Sequence, residues 1–230
     1  MARLVALAAA LVVATGAGAT PRGAEVEQLH TRAKVVALTF DGAWDDSGVP
    51  RILRTLTRYH ATATFFVTGG WVTRYPRLAR RIGRSYDVGN HSWSHPQMTH
   101  LSDRDIRKEV RRAGWWIRAA TGHDPKPLFR FPYGDRDART IRVVNSLGYT
   151  SVRWSLDTWG WMGPAEGQSA ATVLHRVATL LRPGAILLLH IGANRDGSTL
   201  DADALLAILR LLRHRGYRTV PLDRYVTAPR

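Results

Sequence analysis

The sequence predicts an α/β fold on a mostly parallel sheet, open or closed into a barrel. Three observations predict it. Strand and helix patterns alternate about seven times along the chain. The strand segments are continuous β-branched and apolar runs, as expected of strands buried on both faces. Ionisable residues are missing from the middle of these runs and recur where they finish, at Asp41, His91 with His95, Arg130 with Tyr133, Asp157 and His190. The carboxyl ends of parallel strands are where α/β folds gather their functional groups.

The elements follow in order. Residues 34–40 (KVVALTF) read as the first strand, and Ser47 as a cap for a helix over 49–59. Residues 63–68 (ATFFVT) form a second strand stopped by Gly69-Gly70, and 76–84 a basic helix. A short strand, 86–89, leads into His91 and His95, whose spacing of four would place both imidazoles on one face of a helical turn. Ser102 with Asp105 opens a helix that buries Ile106, Val110, Ala113 and Ile117 and stops at Thr121-Gly122. Strand 128–131, helix 138–147 and strand 149–154 come next, then a loop over 155–168 rich in Gly and Trp. Helix 172–181, a Pro183-Gly184 turn, strand 185–189 ending at His190, a helix over 201–215 on Leu205, Ile208, Leu209 and Leu212, and a strand near 217–220 complete the chain. The domain is expected over 34–222, with a linker at 20–33 and a tail at 223–230.

The 230 residues suit one sizeable domain. The absence of cysteine excludes disulfides, thiolate-held zinc and a cysteine nucleophile. A short basic start, an apolar run from Leu4 to Val13 and small residues ending at Ala19 predict a secretory signal peptide, too short to anchor in a bilayer, and no other segment could span one. The formal charge of +15, nearly all from arginine, favours an anionic partner such as a cell wall. The arginines are scattered, so nucleic acid is not the expected partner, and the array Arg74, Arg77, Arg81 and Arg84 reads as a solvated helix face.

Five short segments in order, Thr39-Phe40-Asp41, His91-Ser92-Trp93-Ser94-His95, Arg130-Phe131-Pro132-Tyr133, Asp157 with the tryptophans after it, and Leu188-Leu189-His190, give the chain a resemblance to the polysaccharide deacetylases of the NodB-homology type, carbohydrate esterase family four. The resemblance covers residues 34–222 and implies a distorted (β/α) barrel. It implies hydrolysis of an N-acetyl group on an amino sugar with a divalent metal, Zn²⁺ first and Co²⁺ or another ion second. In that scheme His91 and His95 are metal ligands, Asp41 the base, Arg130 its partner, the Tyr133 N–H an oxyanion donor, His190 the acid and Asp157 the group that orients it. Trp159 and Trp161 fall where the family has a groove-lining aromatic, and Trp44 lies beside a motif residue; indole suits stacking on a sugar ring.

The sequence departs from the family's Thr-Phe-Asp-Asp at Gly42, which has no side chain to serve as third ligand. Asp45, or Asp46 instead, is expected to complete the site. The resulting expectation is a secreted metal-dependent deacetylase of peptidoglycan or a chitin-type glycan. The alternatives are an O-acetyl esterase of the xylan type and a weakly catalytic or non-catalytic homologue that binds wall glycan.

Overall fold

The structure, a computed structural model, describes residues 25–229. The expected signal peptide, residues 1–19, lies outside them. The elements in order are β1 (Glu25–Val26), β2 (Val35–Gly42), α1 (Val49–Tyr59), β3 (Thr64–Val67), α2 (Gly69–Arg74), α3 (Pro76–Gly83), β4 (Asp87–Asn90), α4 (Asp103–Thr121), β5 (Leu128–Phe129), α5 (Ala138–Asn145), β6 (Thr150–Val152), β7 (Leu156–Asp157), α6 (Ala170–Leu180), β8 (Ala185–His190), α7 (Leu200–His214) and β9 (Arg218–Thr219).

All paired strands are parallel, in the order β1-β6-β5-β4-β3-β2-β8-β7, and β9 pairs with β2 beside Val35 and Val36, before β3 begins at Thr39. The sheet curls into a half-barrel with helices outside it, the (β/α) barrel class the sequence implied. The stretch 25–33, expected within a linker, instead spans the seam. Val26 pairs with Val152 of β6, Gln28 bridges Ala185 of β8, and the Leu29 N–H donates to Gly184 O. The tail also packs: Val226 is buried with Leu222 and Val26, and the Thr150 hydroxyl donates to Thr227 O.

Period-two alternation decides what fills the barrel. On β2, Val36, Leu38 and Phe40 face the helices, in one core with Ile52, Leu56, Leu205 and Ile208. Val35 and Ala37 belong to the inner core with Phe66, Val152 and Ile186. Two and four residues further along the same inner face come Thr39 and Asp41, and on β8 the inner row Ile186, Leu188 ends at His190. The interior is therefore apolar at its closed end and polar at the carboxyl ends of the strands. Asp41 and His190 sit opposite each other in register on neighbouring strands.

Several elements differ from the sequence expectation for identifiable reasons. The strand does end before Gly69-Gly70, and the pair also starts α2: Thr68 caps it by accepting from the Trp71 N–H, and a Cβ on Gly69 would fall 2.2 Å from the Trp93 ring. The arginine array is therefore split, Arg74 on α2 and Arg77 and Arg81 on α3, all exposed. Ser47 makes no cap for α1. On α4, Ser102 caps as expected and Ile106, Val110, Ala113 and Ile117 are its buried stripe. Among the described residues no helix is long and apolar enough to cross a membrane.

Candidate active site

The ends of β2, β4, β5, β7 and β8 surround a cavity of about 420 Å³. Its lining includes Asp41, His91, His95, Tyr133, Asp157 and His190, so the sequence-predicted polar groups meet in one place. Backbone strain collects there too. Of the five described non-glycine residues with positive φ, four (Ser92, His95, Tyr133 and Trp159) belong to the loops of this site; the fifth, His60, is a helix C-cap. Such conformations persist only where surrounding structure enforces them.

Arg130 is the buried centre of the site. Its guanidinium donates to the Thr39 hydroxyl and Asp41 Oδ1, each at 2.8 Å, to Val152 O at 3.2 Å and to Arg153 O at 3.1 Å. Its plane lies 4.1 Å from the Phe66 ring centre. One planar fork thus ties β6 to β2 across the interior while pairing with Asp41. Burial pushes the Asp41 carboxyl up, and its neighbours, the Arg130 guanidinium foremost, outweigh it, leaving Asp41 below the usual carboxylate range. The same burial lowers Arg130, which starts far above neutrality and stays a cation.

The histidine pair sits in a loop, not a helical turn. Ser92 and His95 take left-handed φ of 67° and 60°, and the loop is fixed from outside. Asn90 Oδ1 accepts the Ser92 N–H, its amide donates to Val110 O on α4, and Glu109 of α4 accepts the Trp93 and Ser94 N–H groups. His91 Nδ1–H donates to Arg130 O at 2.8 Å, which leaves the Nε2 lone pair free, and the two Nε2 atoms are 3.1 Å apart. Burial lowers the His91 pKa, and burial together with His91 lowers His95 to about 3, so both rings are neutral, the state a ligand needs. Two imidazole nitrogens on one zinc at about 2.05 Å lie about 3.3 Å apart at the tetrahedral angle. The pair therefore fits two positions of a divalent ion.

The expected third ligand, Asp45, lines the same cavity, but its carboxylate is engaged by backbone donors. The Asp45 carboxylate accepts the Ala193 N–H at 3.0 and 3.1 Å and the Ser47 N–H at 2.9 Å, so it pins its loop to the one after β8. Asp46 is absent from the cavity lining. Gly42 lines the same cavity but offers no side chain, and a Cβ there would fall 2.3 Å from the Ile191 side chain. Among the described residues no three His, Cys, Asp or Glu side chains are grouped to hold a metal.

Asp157 was expected to orient His190, but its Oδ1 accepts the Trp159 N–H at 3.0 Å and the Trp161 indole N–H at 3.3 Å. Burial raises its carboxyl above the ordinary range. The carboxylate beside His190 Nδ1, 3.5 Å away, is that of Asp201, which sequence reading placed only as a helix start. Burial draws the His190 imidazole down, and Asp201, then Asp41 and Asp157, more than offset this, so its pKa is raised. Of the tryptophans, Trp44 (63 % exposed), Trp161 (52 %) and Trp154 line the cavity. Trp159 does not: Arg176 lies over its ring, 3.2 Å from the centre. The Tyr133 ring packs edge-on against His95, with centres 4.4 Å apart.

Comparison with known proteins gives the chain's family. The polysaccharide deacetylase family matches residues 28–152. The chain is similar to the peptidoglycan-N-acetylglucosamine deacetylase PgdA of Listeria monocytogenes, 33% identical over 200 residues, covering 86% of this chain and 40% of that one. It is similar to a chitooligosaccharide deacetylase of Bradyrhizobium sp., 32% identical over 197 residues, covering 81% and 88%. The solved structure of a CE4 family pseudoenzyme from Bacillus anthracis aligns with a TM-score of 0.80 at 29% identity, covering 88% of this chain and 69% of that one. The chain belongs to the polysaccharide deacetylase family of hydrolases.

Proposed function

We propose that the chain acts outside the cell to remove N-acetyl groups from an amino-sugar polysaccharide, peptidoglycan first and a chitin-type glycan second. The observation that carries this reading is the convergence of Asp41, His91, His95 and His190 on one cavity, with Arg130 holding Asp41 ionised. His91 and His95 would hold a divalent ion, zinc before cobalt. Such an ion, when bound, polarises a water and an acetyl carbonyl.

The chain's own groups supply the rest. Asp41 has one oxygen tied to Arg130, and its other, 3.5 Å from His91 Nε2, is placed to accept a proton from the attacking water. The Tyr133 N–H donates to the oxyanion that forms on the acetyl carbon. His190 gives a proton to the departing nitrogen. Trp44 and Trp161 flank the groove as stacking surfaces for sugar rings. The positive charge of the chain favours approach to an anionic wall.

Acetate release, measured on peptidoglycan, N-acetylated chitin oligomers and acetylated xylan at several metal loadings, tests this reading and separates amide from ester hydrolysis. No acetate from any substrate at any loading would sink it. One observation favours a second reading, a weakly catalytic or non-catalytic glycan binder: among the described residues no third carboxylate or imidazole is grouped with the two histidines. That reading predicts retention on insoluble peptidoglycan without acetate release.

A further inference from the structure

We infer that Asp201 is the positioning residue for His190, holding its imidazole with Nε2 toward the cavity. Asp201 stands in the first turn of α7 and is 3 % exposed. Its Oδ2 accepts the His190 backbone N–H at 2.8 Å and lies 3.5 Å from Nδ1 of the same residue. That nitrogen is buried and has no hydrogen-bond partner within the described residues. A buried N–H left unpaired is costly, and a small ring rotation toward Oδ2 satisfies it; catalytic contacts are often long until substrate binds.

The carboxylate cannot move away from this duty. Its Oδ1 accepts the Thr158 hydroxyl at 2.7 Å. A Cβ on Gly160 would fall 2.3 Å from the same oxygen, so the glycine leaves the notch that the carboxylate fills. Asp157 is occupied elsewhere, by the Trp159 and Trp161 N–H groups. Two carboxylates therefore divide the work, Asp201 on the acid and Asp157 on the tryptophan loop.

Resting on the proposed deacetylation, the step this serves is the last. The C–N bond of the tetrahedral intermediate breaks, its electron pair stays on nitrogen, and that nitrogen takes the proton from His190 Nε2. The products are acetate and the free amine, and the imidazolium becomes neutral imidazole. A carboxylate on Nδ1–H fixes the ring orientation and favours its protonated form beforehand.

The test is Asp201→Asn, which keeps the shape and removes the charge. Asp201→Ala also opens a void and frees the loop, so it serves as the structural control. Two substrates are compared in wild type and variant: an N-acetylated chitooligosaccharide, whose amine must be protonated, and 4-nitrophenyl acetate, whose phenolate leaves without a proton. We expect Asp201→Asn to lower kcat on the oligosaccharide about 100-fold with KM within about threefold, and to leave 4-nitrophenyl acetate within about threefold, as for loss of a general acid. A proton NMR readout accompanies it: the protected Nδ1–H resonance of His190 is present in wild type and lost in the Asn variant. Equal losses on both substrates, or a His190 resonance unchanged in the variant, would overturn the assignment. If wild type releases acetate from neither substrate, the deacetylase reading fails, and the NMR comparison still decides the role of Asp201.

Discussion

Replacing Arg130 by methionine isolates the most heavily used side chain in the barrel. Methionine fills a similar volume without charge or donors. The change strands Asp41, which is 7 % exposed and has the neutral His91 ring 3.5 Å away. It also takes a donor from Val152 O and Arg153 O. Breaking a buried ion pair by removing one partner costs about 3–5 kcal/mol. A newly unpaired buried carbonyl adds about 1 kcal/mol. The expected loss of about 4–6 kcal/mol is a large share of a domain's stability of about 5–15 kcal/mol. Urea unfolding followed by tryptophan fluorescence measures it, and Asp41→Asn/Arg130→Met supplies the comparison. With the stranded charge gone, the double variant should regain about 2 kcal/mol or more relative to Arg130→Met. A single variant costing less than about 1 kcal/mol, or a double variant no more stable than the single, would refute the claim that Asp41 depends on this guanidinium.

The metal site gives a second prediction: zinc titration should find about one ion per chain, and His91→Ala should abolish it, unchanged binding meaning that the site lies elsewhere. Asp45→Ala should leave zinc affinity within about threefold while destabilising its loop by about 1 kcal/mol; a hundredfold loss of zinc would show that Asp45 swings onto the ion. Gly160→Ala drives a methyl into Asp201, so acetate release should fall at least tenfold; wild-type rates would mean the notch is not needed. Asp87 gives a pH test at the opposite end of the barrel. Burial and then Asp223 raise its carboxyl from 3.8 to about 6. The folded state holds this proton more tightly, so stability falls as pH rises from below 4 through 6. Asp87→Asn should therefore stabilise the protein by about 1 kcal/mol at pH 8, the full shift being discounted because the group is partly exposed. The gain should vanish near pH 4, and an equal gain at both pH values would dismiss the mechanism.

Local signals made most of the fold legible. The helix Val49–Tyr59 has the bounds its pattern predicts because apolar residues at Val49, Ile52, Leu53 and Leu56 repeat at helical spacing, with Pro50 in the first turn. Strand β8 is readable because all of Ala185–Leu189 is apolar between a turn and a histidine. The two-residue strands β1 and β7 carry no period and exist only through their partners, β6 and β8. The same holds for residues 25–33, which read as a linker because polar residues surround Val26 and Leu29; both are buried only once the seam of the barrel exists.

At the site, the groups at strand ends were legible and those that hold them were not. Asp41, His91, Arg130 and His190 follow buried strands, so the sequence places them directly. Asn90, Glu109 and Asp201 act across the fold: an asparagine finishing a strand, a glutamate in a basic helix and an aspartate opening one look ordinary along the chain. Two expected pairings, Asp45 with the metal and Asp157 with His190, meet the same competition. Asp45 is expected there because it follows Gly42 in the same loop, and Asp157 because of the family resemblance, whereas in the fold backbone N–H groups bond to both carboxylates. An N–H donor is present at every residue except proline, so no residue type announces that competition. It becomes visible only when the loops are folded together. Two glycines mark it from the other side: Cβ atoms at Gly160 and Gly192 would fall 2.3 Å from Asp201 and 2.7 Å from Asp45. The carboxylates lie in spaces that side chains at these positions would take, so changing either glycine should disturb its carboxylate while leaving every motif residue intact.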